Sequence, residues 1–340
     1  MSRALKSNDR GLWCGIALVL STVFVANAVN GSEWCATGLS ASGDPFAAGQ
    51  EAGKKAKAAF GAEAPALVLV YCSGARGWAP ESNQRMLNGV ASSFDKALIY
   101  GSVARWGCVA PESTAASVVV LAIGGGVAVT EVEASVVKDP SPGDPSAAKS
   151  ANDKPAADKT ENVKPADLGR TLGDALKAAY NKASDAKGRL IIAIGPYGFV
   201  MGTPFMKTVT DILGTDARMV GGLTHARDDP IFVKGEVVKR EFILLLISGD
   251  FSCDFGVGSK TEKTPEEVTS AAIRSANGVN KGDINAVLVF GKVAIKTLTD
   301  AVKAPIFGCV CELPLGVTSE HAPVAAWDWL LSVCVIRKAR

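Results

Sequence analysis

The chain has 340 residues, 48% of them hydrophobic and 21% charged, which is enough to bury one large core or two ordinary ones. Its formal net charge of +2 gives no electrostatic basis for binding nucleic acid or an anionic membrane. His225 and His321 are its only histidines, and this scarcity argues against histidine-based catalysis and metal binding. We therefore expect no nucleic-acid partner, no metal site and no cofactor.

The amino terminus, residues 1–28, has the pattern of a signal peptide. Three basic residues precede the uncharged run 12–26, and Ala26-Asn27-Ala28 supplies small residues for cleavage. We therefore expect an exported protein, periplasmic or secreted, with no stable membrane insertion after the signal is removed. The alternative is an uncleaved membrane anchor, because the uncharged run continues to Ser32, but its apolar core is shorter than the ~20 residues that span a bilayer.

The next part of the chain alternates between helical and strand patterns. A flexible, Gly/Ser-rich segment at 29–43 precedes the first part of the folded chain, 44–137. Apolar residues at spacings of three and four predict helices, and continuous apolar runs predict strands buried on both faces. The predicted helices are 45–60 and 82–94, and the predicted strands are 66–71, 96–100 and 117–123.

Between residues 138 and 167 the composition changes to Pro, Ala, Ser, Asp and Lys, with no aromatic residue. Such a segment cannot bury enough apolar surface to offset the entropy of ordering, so it predicts a solvated, low-complexity loop. A helical spacer is the alternative, and the five prolines of the segment weaken it.

The remainder of the chain repeats the same alternation twice. The pattern predicts an α/β fold in which duplicated strand-helix-strand-strand units form two packed sheet-and-helix halves. The predicted helices are 168–187, 203–213 and 293–302, and the predicted strands are 189–195, 218–223, 231–234, 242–248, 286–291, 305–310 and 329–336.

Several segments, taken in order, carry a resemblance to a known family. They are residues 44–49, 67–71, 118–125, 219–223, 233–238, 244–248, 265–269 and 304–312. In this order they resemble the FIST domain proteins, a sensory family found in bacterial signalling proteins and in a eukaryotic F-box protein. The resemblance implies a FIST N-like domain formed by 44–137 and 168–280, a FIST C-like segment at 281–340, a small-molecule ligand and a signalling partner. The chain departs from the family pattern at 100–104 and at Leu313.

Glycine-rich strand ends suggest where the ligand binds. Glycine lets a ligand approach backbone N–H groups, and the polar or thiol side chains beside these glycines would add specificity. In another interpretation, the paired glycines only permit a tight turn or close helix packing. We predict a non-covalent site for a small polar ligand, such as an amino acid, in a cleft between the halves, formed by Gly221, Gly222, Thr224, Gly308, Cys309 and Glu312.

Cys309 and Cys311 leave two other functions open. Alternation along a strand places both thiols on one face, so Cys309 could serve a thiol-dependent enzyme, although no second Cys or His pair lies at metal-ligand spacing. A protein-interaction module without a small ligand is the other alternative. We expect no catalytic residue, and we expect the seven cysteines after residue 28 to be mostly reduced and buried.

Overall fold

The computed structural model describes residues 34–73, 78, 80–104, 107–109, 118–135, 165–196, 211–214, 218–224, 229–239, 241–259, 261–262, 264–276, 284–311, 314–317 and 329–338. The predicted signal peptide and low-complexity loop, and nearly all of the predicted helix at 203–213, lie outside these residues. No helix in the described ranges is long and apolar enough to cross a bilayer.

The described residues form a mixed α/β structure, which confirms the predicted fold class. The helices are α1 (Pro45–Phe60), α2 (Pro80–Ala91), α3 (Pro165–Lys182), α4 (Pro265–Ser275) and α5 (Ile295–Ala301). The strands are β1 (Cys35–Ser40), β2 (Leu67–Ser73), β3 (Ile99–Ala104), β4 (Cys108–Val109), β5 (Val118–Ile123), β6 (Ala128–Ser135), β7 (Gly188–Pro196), β8 (Met219–Thr224), β9 (Ile231–Val233), β10 (Glu236–Val238), β11 (Glu241–Gly249), β12 (Phe251–Ser259), β13 (Ile284–Gly291), β14 (Ile306–Cys309), β15 (Pro314–Val317) and β16 (Trp329–Lys338).

The strands form three sheets that share one strand order. The first sheet runs β1-β5-β2-β3-β9-β10, the second β6-β11-β7-β8-β15, and the third β12-β16-β13-β14-β4. Each sheet takes four strands from one chain segment, which runs from β1 to β5, from β6 to β11 or from β12 to β16. These four strands lie in the order first-fourth-second-third, and the second and third of them are parallel. The remaining neighbours within each sheet pair antiparallel.

Each sheet is extended by strands from another segment. The loop between β3 and β5 supplies β4 to the third sheet, and the loop between β14 and β16 supplies β15 to the second. The loop between β8 and β11 supplies β9 and β10 to the first sheet. Every segment thus adds a strand to another segment's sheet, so the three sheets form one interlocked body.

The three sheets share a central core, and the helices cover their outer faces. Along β2, Leu67, Leu69 and Tyr71 point into the central core, whereas the alternate residues Val68 and Val70 pack beneath α1 and α2. The third sheet has the same two faces, with α4 and α5 on the outside. Because both faces of these strands are buried, they have the continuous apolar sequences from which they were predicted.

Local sequence signals fix where the helices begin. The side chain of Asp44 accepts a hydrogen bond from the amide of Ala47 at 2.8 Å, and Pro45 occupies the first turn of α1. At α4, Thr264 and Glu267 form a reciprocal capping box.

The sheet arrangement corrects two expectations. The segment 29–43, expected to be flexible, contains β1, whose residues pair with β5 from Cys35 to Ser40. We expected two packed halves, but there are three sheets, because β6 and β12 each begin a further sheet. Both strands alternate polar and apolar residues or contain glycine, and so they lack the continuous apolar run of a doubly buried strand. The division into family segments stays a prediction.

Each parallel strand pair requires a glycine at one register position. Gly101 lies opposite Val70, Gly221 opposite Ala193, and Gly308 opposite Val289. A Cβ atom at Gly101 or Gly308 would lie 1.7 Å from the facing carbonyl oxygen, and one at Gly221 would lie 2.2 Å from it. No side chain fits at these distances.

We predict that Gly308→Ala lowers the free energy of unfolding by about 3 kcal/mol or more, because a strand carbonyl cannot move aside without breaking the ladder. Gly43→Ala is the matched control, since nothing lies within 4 Å of its added Cβ, and it should change stability by less than about 0.5 kcal/mol. Urea denaturation of both variants measures the difference. Equal stability of the two would contradict the close approach of β14 to β13.

Candidate functional site

The carboxyl ends of the parallel strand pairs from all three sheets meet in the central core. Tyr71 near the end of β2 lies 6.0 Å from Phe290 of β13 and 5.2 Å from Phe307 of β14, measured between ring centroids. A Cβ atom at Gly222 of β8 would lie 2.8 Å from Phe290 and 2.7 Å from the Sγ of Cys309. We call this group, with Cys108 and Cys311, the junction cluster.

Three thiols line the junction cluster. Cys108, Cys309 and Cys311 are buried and free. The thiol of Cys108 donates to the carbonyl oxygen of Tyr71 at 3.2 Å. The pKa of Cys309 is raised well above its ordinary value by a hydrogen bond with Cys311, by burial, and by electrostatic repulsion from the thiols of Cys311 and Cys108. Burial likewise raises the pKa of Cys108. A raised pKa keeps a thiol protonated at neutral pH, which works against a role for Cys309 as a nucleophile.

The hydroxyl of Tyr71 is the unusual polar group of this cluster. Its side chain is 1% exposed, and its Oη makes no hydrogen bond within the described residues. Burial and the three nearby cysteines raise the pKa of Tyr71, so the phenol stays protonated. A buried hydroxyl without a partner costs about 1–3 kcal/mol, and a water or a ligand that accepted its hydrogen bond would remove that cost.

The structure brings some of the predicted site residues together and separates others. Gly222 and Cys309 are in contact, and Thr224, two residues further along β8, is buried and paired with Pro196 at the end of β7. Gly221 and Gly308 lie against neighbouring strands of their own sheets, in the position that Gly101 occupies in the first sheet. Close pairing with the neighbouring parallel strand explains both glycines, whereas the alternative interpretation had proposed a tight turn or close helix packing. Glu312 lies outside the described residues, as do His225 and His321.

Two members of the cluster were not predicted as site residues. Tyr71 closes an apolar strand run, so its sequence position indicates core packing and does not reveal that its hydroxyl lacks a partner. Cys108 lies in the two-residue strand β4, which has too short an apolar pattern to predict. Only its pairing with β14, contributed by a segment about 200 residues further along, places it here.

A second polar group links the first two sheets away from the junction cluster. The hydroxyl of Tyr100 donates to Glu131 at 2.5 Å, and Lys234 pairs with the same carboxylate at 2.9 Å. Burial and this hydrogen bond raise the pKa of Tyr100. The hydroxyl of Tyr100 therefore has a hydrogen-bond partner, whereas the hydroxyl of Tyr71 has none within the described residues. Among the described residues, no group of three or more His, Cys, Asp or Glu side chains could hold a metal ion.

Comparison with known families identifies a relationship for the larger part of the chain. Residues 66–278 of the chain match the family model of the FIST N domain. This match covers well over half of the chain, including all of the second sheet's own four strands and most of the first sheet's. No curated protein matches the chain.

The two tyrosines provide a matched test of hydrogen-bond satisfaction. In ligand-free protein, Tyr71→Phe should leave the free energy of unfolding unchanged or raise it by about 1 kcal/mol, because it removes an unbonded buried hydroxyl. Tyr100→Phe should lower it by about 1.5–3 kcal/mol, because it removes a hydrogen bond to a carboxylate. Denaturant titration measures both. A loss at Tyr71→Phe as large as that at Tyr100→Phe would show that the Tyr71 hydroxyl is bonded within the fold.

Thiol reactivity tests the chemical state of the cluster. In the native protein at pH 7, iodoacetamide should modify the partly exposed Cys253 first and Cys309 much more slowly, because Cys309 is buried and its pKa is raised. In 8 M urea all seven described cysteines should react. Peptide mass spectrometry identifies the modified residues. Modification of Cys309 before Cys253 in the native protein would support a reactive nucleophile.

Proposed function

The chain belongs to the FIST N domain family, a family of sensory and signal-transduction domains, and we propose that it is a non-catalytic sensor of a small polar ligand. The observation that carries the proposal is the meeting of strand ends from three sheets around one unbonded, buried hydroxyl, that of Tyr71. The ligand class follows from the groups that surround this point.

The position of the junction cluster favours ligand binding. In sheets with parallel strands, ligands bind beyond the carboxyl ends of those strands, where loops diverge and backbone groups are unpaired. Here β2, β8, β13 and β14 bring such ends to the same region, and β8 ends at the buried Thr224. A molecule held there touches all three sheets, so its binding can change how the sheets pack.

The chemistry of the cluster favours a ligand with a polar head and a small apolar part. The unbonded hydroxyl of Tyr71 can donate one hydrogen bond, and the hydroxyl-bearing Thr224 lies on the same face of β8 as Gly222. Phe290 and Phe307 form an apolar wall beside them. The cluster itself contains no charged side chain among the described residues. These groups suit an amino acid or a similar small metabolite whose charge is met by backbone dipoles.

The cluster does not favour thiol chemistry. Cys309 has a raised pKa and is 3% exposed, which gives it little thiolate and little contact with solvent. We therefore propose non-covalent binding. Any signal from the bound ligand would pass to a partner protein through the outer surface of the sheets and helices.

We further propose that the protein is exported. The support is the basic start, the uncharged run 12–26 and the small residues Ala26-Asn27-Ala28, which together have the form of a cleavable signal. The identification of residue 29 as the first residue of the mature protein, by mass spectrometry of the secreted fraction, would support export.

Ligand binding is tested with a pair of threonine variants. Isothermal titration against a panel of amino acids should show one or a few binders. Thr224→Val should weaken that binding about tenfold, because it removes a buried hydroxyl from the proposed site and nearly preserves the shape of the side chain. Thr130→Val, on the exposed side of β6, is the control and should bind as the unmodified protein does.

Native mass spectrometry of the protein purified without denaturation extends the test beyond the panel. A retained mass of metabolite size that is lost in Tyr71→Phe supports the proposal. A chain that retains no ligand and shows no heat of binding with any member of the panel would contradict it and favour a protein-interaction module.

A further inference from the structure

At one edge of the third sheet, the neighbouring strands β14 and β4 place two cysteines directly opposite each other. In the pairing of β4 with β14, Cys108 faces Cys309 and Val109 faces Gly308. The amide of Val310 donates to the carbonyl oxygen of Gly107 at 2.9 Å, so the ladder hydrogen bonds flank the cysteine pair. Cys108 and Cys309 therefore form a non-hydrogen-bonded pair, in which the side chains share one face and the Cα atoms are about 4.5 Å apart.

This geometry matches that of a disulfide. Disulfides join residues whose Cα atoms are about 4.4–6.8 Å apart with both Cβ atoms on the same side. Cys311 also lies near Cys309, but two residues along an extended strand are about 6.6–6.8 Å apart, at the upper limit of that range. Cys72 lies in the other core cluster, beneath the helices, and not in the central core where Cys108 lies. Among these thiols, Cys108 has the best placement to bond with Cys309.

We propose that Cys108 and Cys309 are an oxidative modification site and form a disulfide that joins the first chain segment to the third sheet. The oxidant is a small-molecule disulfide. One cysteine sulfur attacks it to give a mixed disulfide and a free small thiol, and the second cysteine then displaces the other small thiol. The two cysteines lose two protons and two electrons, and the small disulfide takes both and becomes two thiols.

The position of β4 allows the reaction despite the burial of both thiols. β4 has only two residues and is the edge strand of its sheet, so few backbone hydrogen bonds hold it. Separation of this edge exposes Cys108 and Cys309 together without unfolding the rest of the sheet. A small external thiol that reaches the same open edge can reduce the bond again by exchange.

The bond would have a structural consequence. It would close a chain loop of about 200 residues, and cross-links across long loops reduce the entropy of the unfolded chain most. The oxidised protein should therefore have a higher Tm than the reduced protein. Amide hydrogen exchange in β4 should also become slower in the oxidised protein, since the edge strand can no longer separate from β14.

The test uses the full chain, incubated either with oxidised glutathione or with dithiothreitol, then denatured, blocked with N-ethylmaleimide and digested without reduction. We expect a peptide pair joined through Cys108 and Cys309, two fewer blocked thiols per chain, and full reversal by dithiothreitol. Cys108→Ser should abolish the loss of the two thiols, whereas Cys72→Ser, the buried control on β2, should retain it.

Three outcomes would overturn the proposal: a Cys309–Cys311 bond in place of the expected pair, only mixed disulfides with glutathione, or no loss of thiols in the folded protein. If Cys108→Ser does not fold, peptide mapping of the oxidised chain without substitutions still identifies which cysteines are joined. Because no ligand is involved, the result is independent of the proposed ligand binding.

Discussion

The fold depends on the burial of one apolar face of every sheet against the other two sheets. Helices cover the outer face of each sheet, as α1 and α2 do for β2, but the inner face has no helix to cover it. Only the inner faces of the other two sheets can exclude water from it, so the central core is shared, and no sheet is complete by itself. The exchanged strands β4, β9, β10 and β15 follow from the same constraint, because each covers the exposed edge of a neighbouring sheet.

This shared core brings functional groups together that are far apart in the chain. Tyr71, Gly222 and Cys309 come from three different segments, and each lies near the carboxyl end of a parallel strand pair. Tyr71 of the first sheet contacts Phe290 of the third, and Phe290 in turn lies against Gly222 of the second. The unbonded hydroxyl of Tyr71 and the facing thiols of Cys108 and Cys309 are therefore placed where a ligand or a bond could couple the motions of the sheets.

Much of this arrangement could be predicted from the sequence, and the limits have physical causes. Strands buried on both faces, such as β2 and β11, have uninterrupted apolar runs that the sequence reveals. The start of α1 is equally visible, because its capping residue Asp44 and the following Pro45 are typical of a helix start. β1, β6 and β12 lie at sheet edges or beside glycines, so they need no such run and were not predicted. Gly222 and Cys309 were predicted as members of one ligand site from the repeated strand ends, and the structure places them next to each other. Cys108 could not be placed, because its position depends on a strand exchanged between segments.

The central claim is that the junction cluster holds a small polar ligand through the hydroxyl of Tyr71. Its most direct test is a crystal structure of protein purified without denaturation, at a resolution that shows ordered small molecules. The account predicts electron density of metabolite size within hydrogen-bond distance of Tyr71 Oη, in contact with residues of β8 and β14. A Tyr71 hydroxyl bonded to a protein atom, with apolar side chains filling the space around it, would contradict the account.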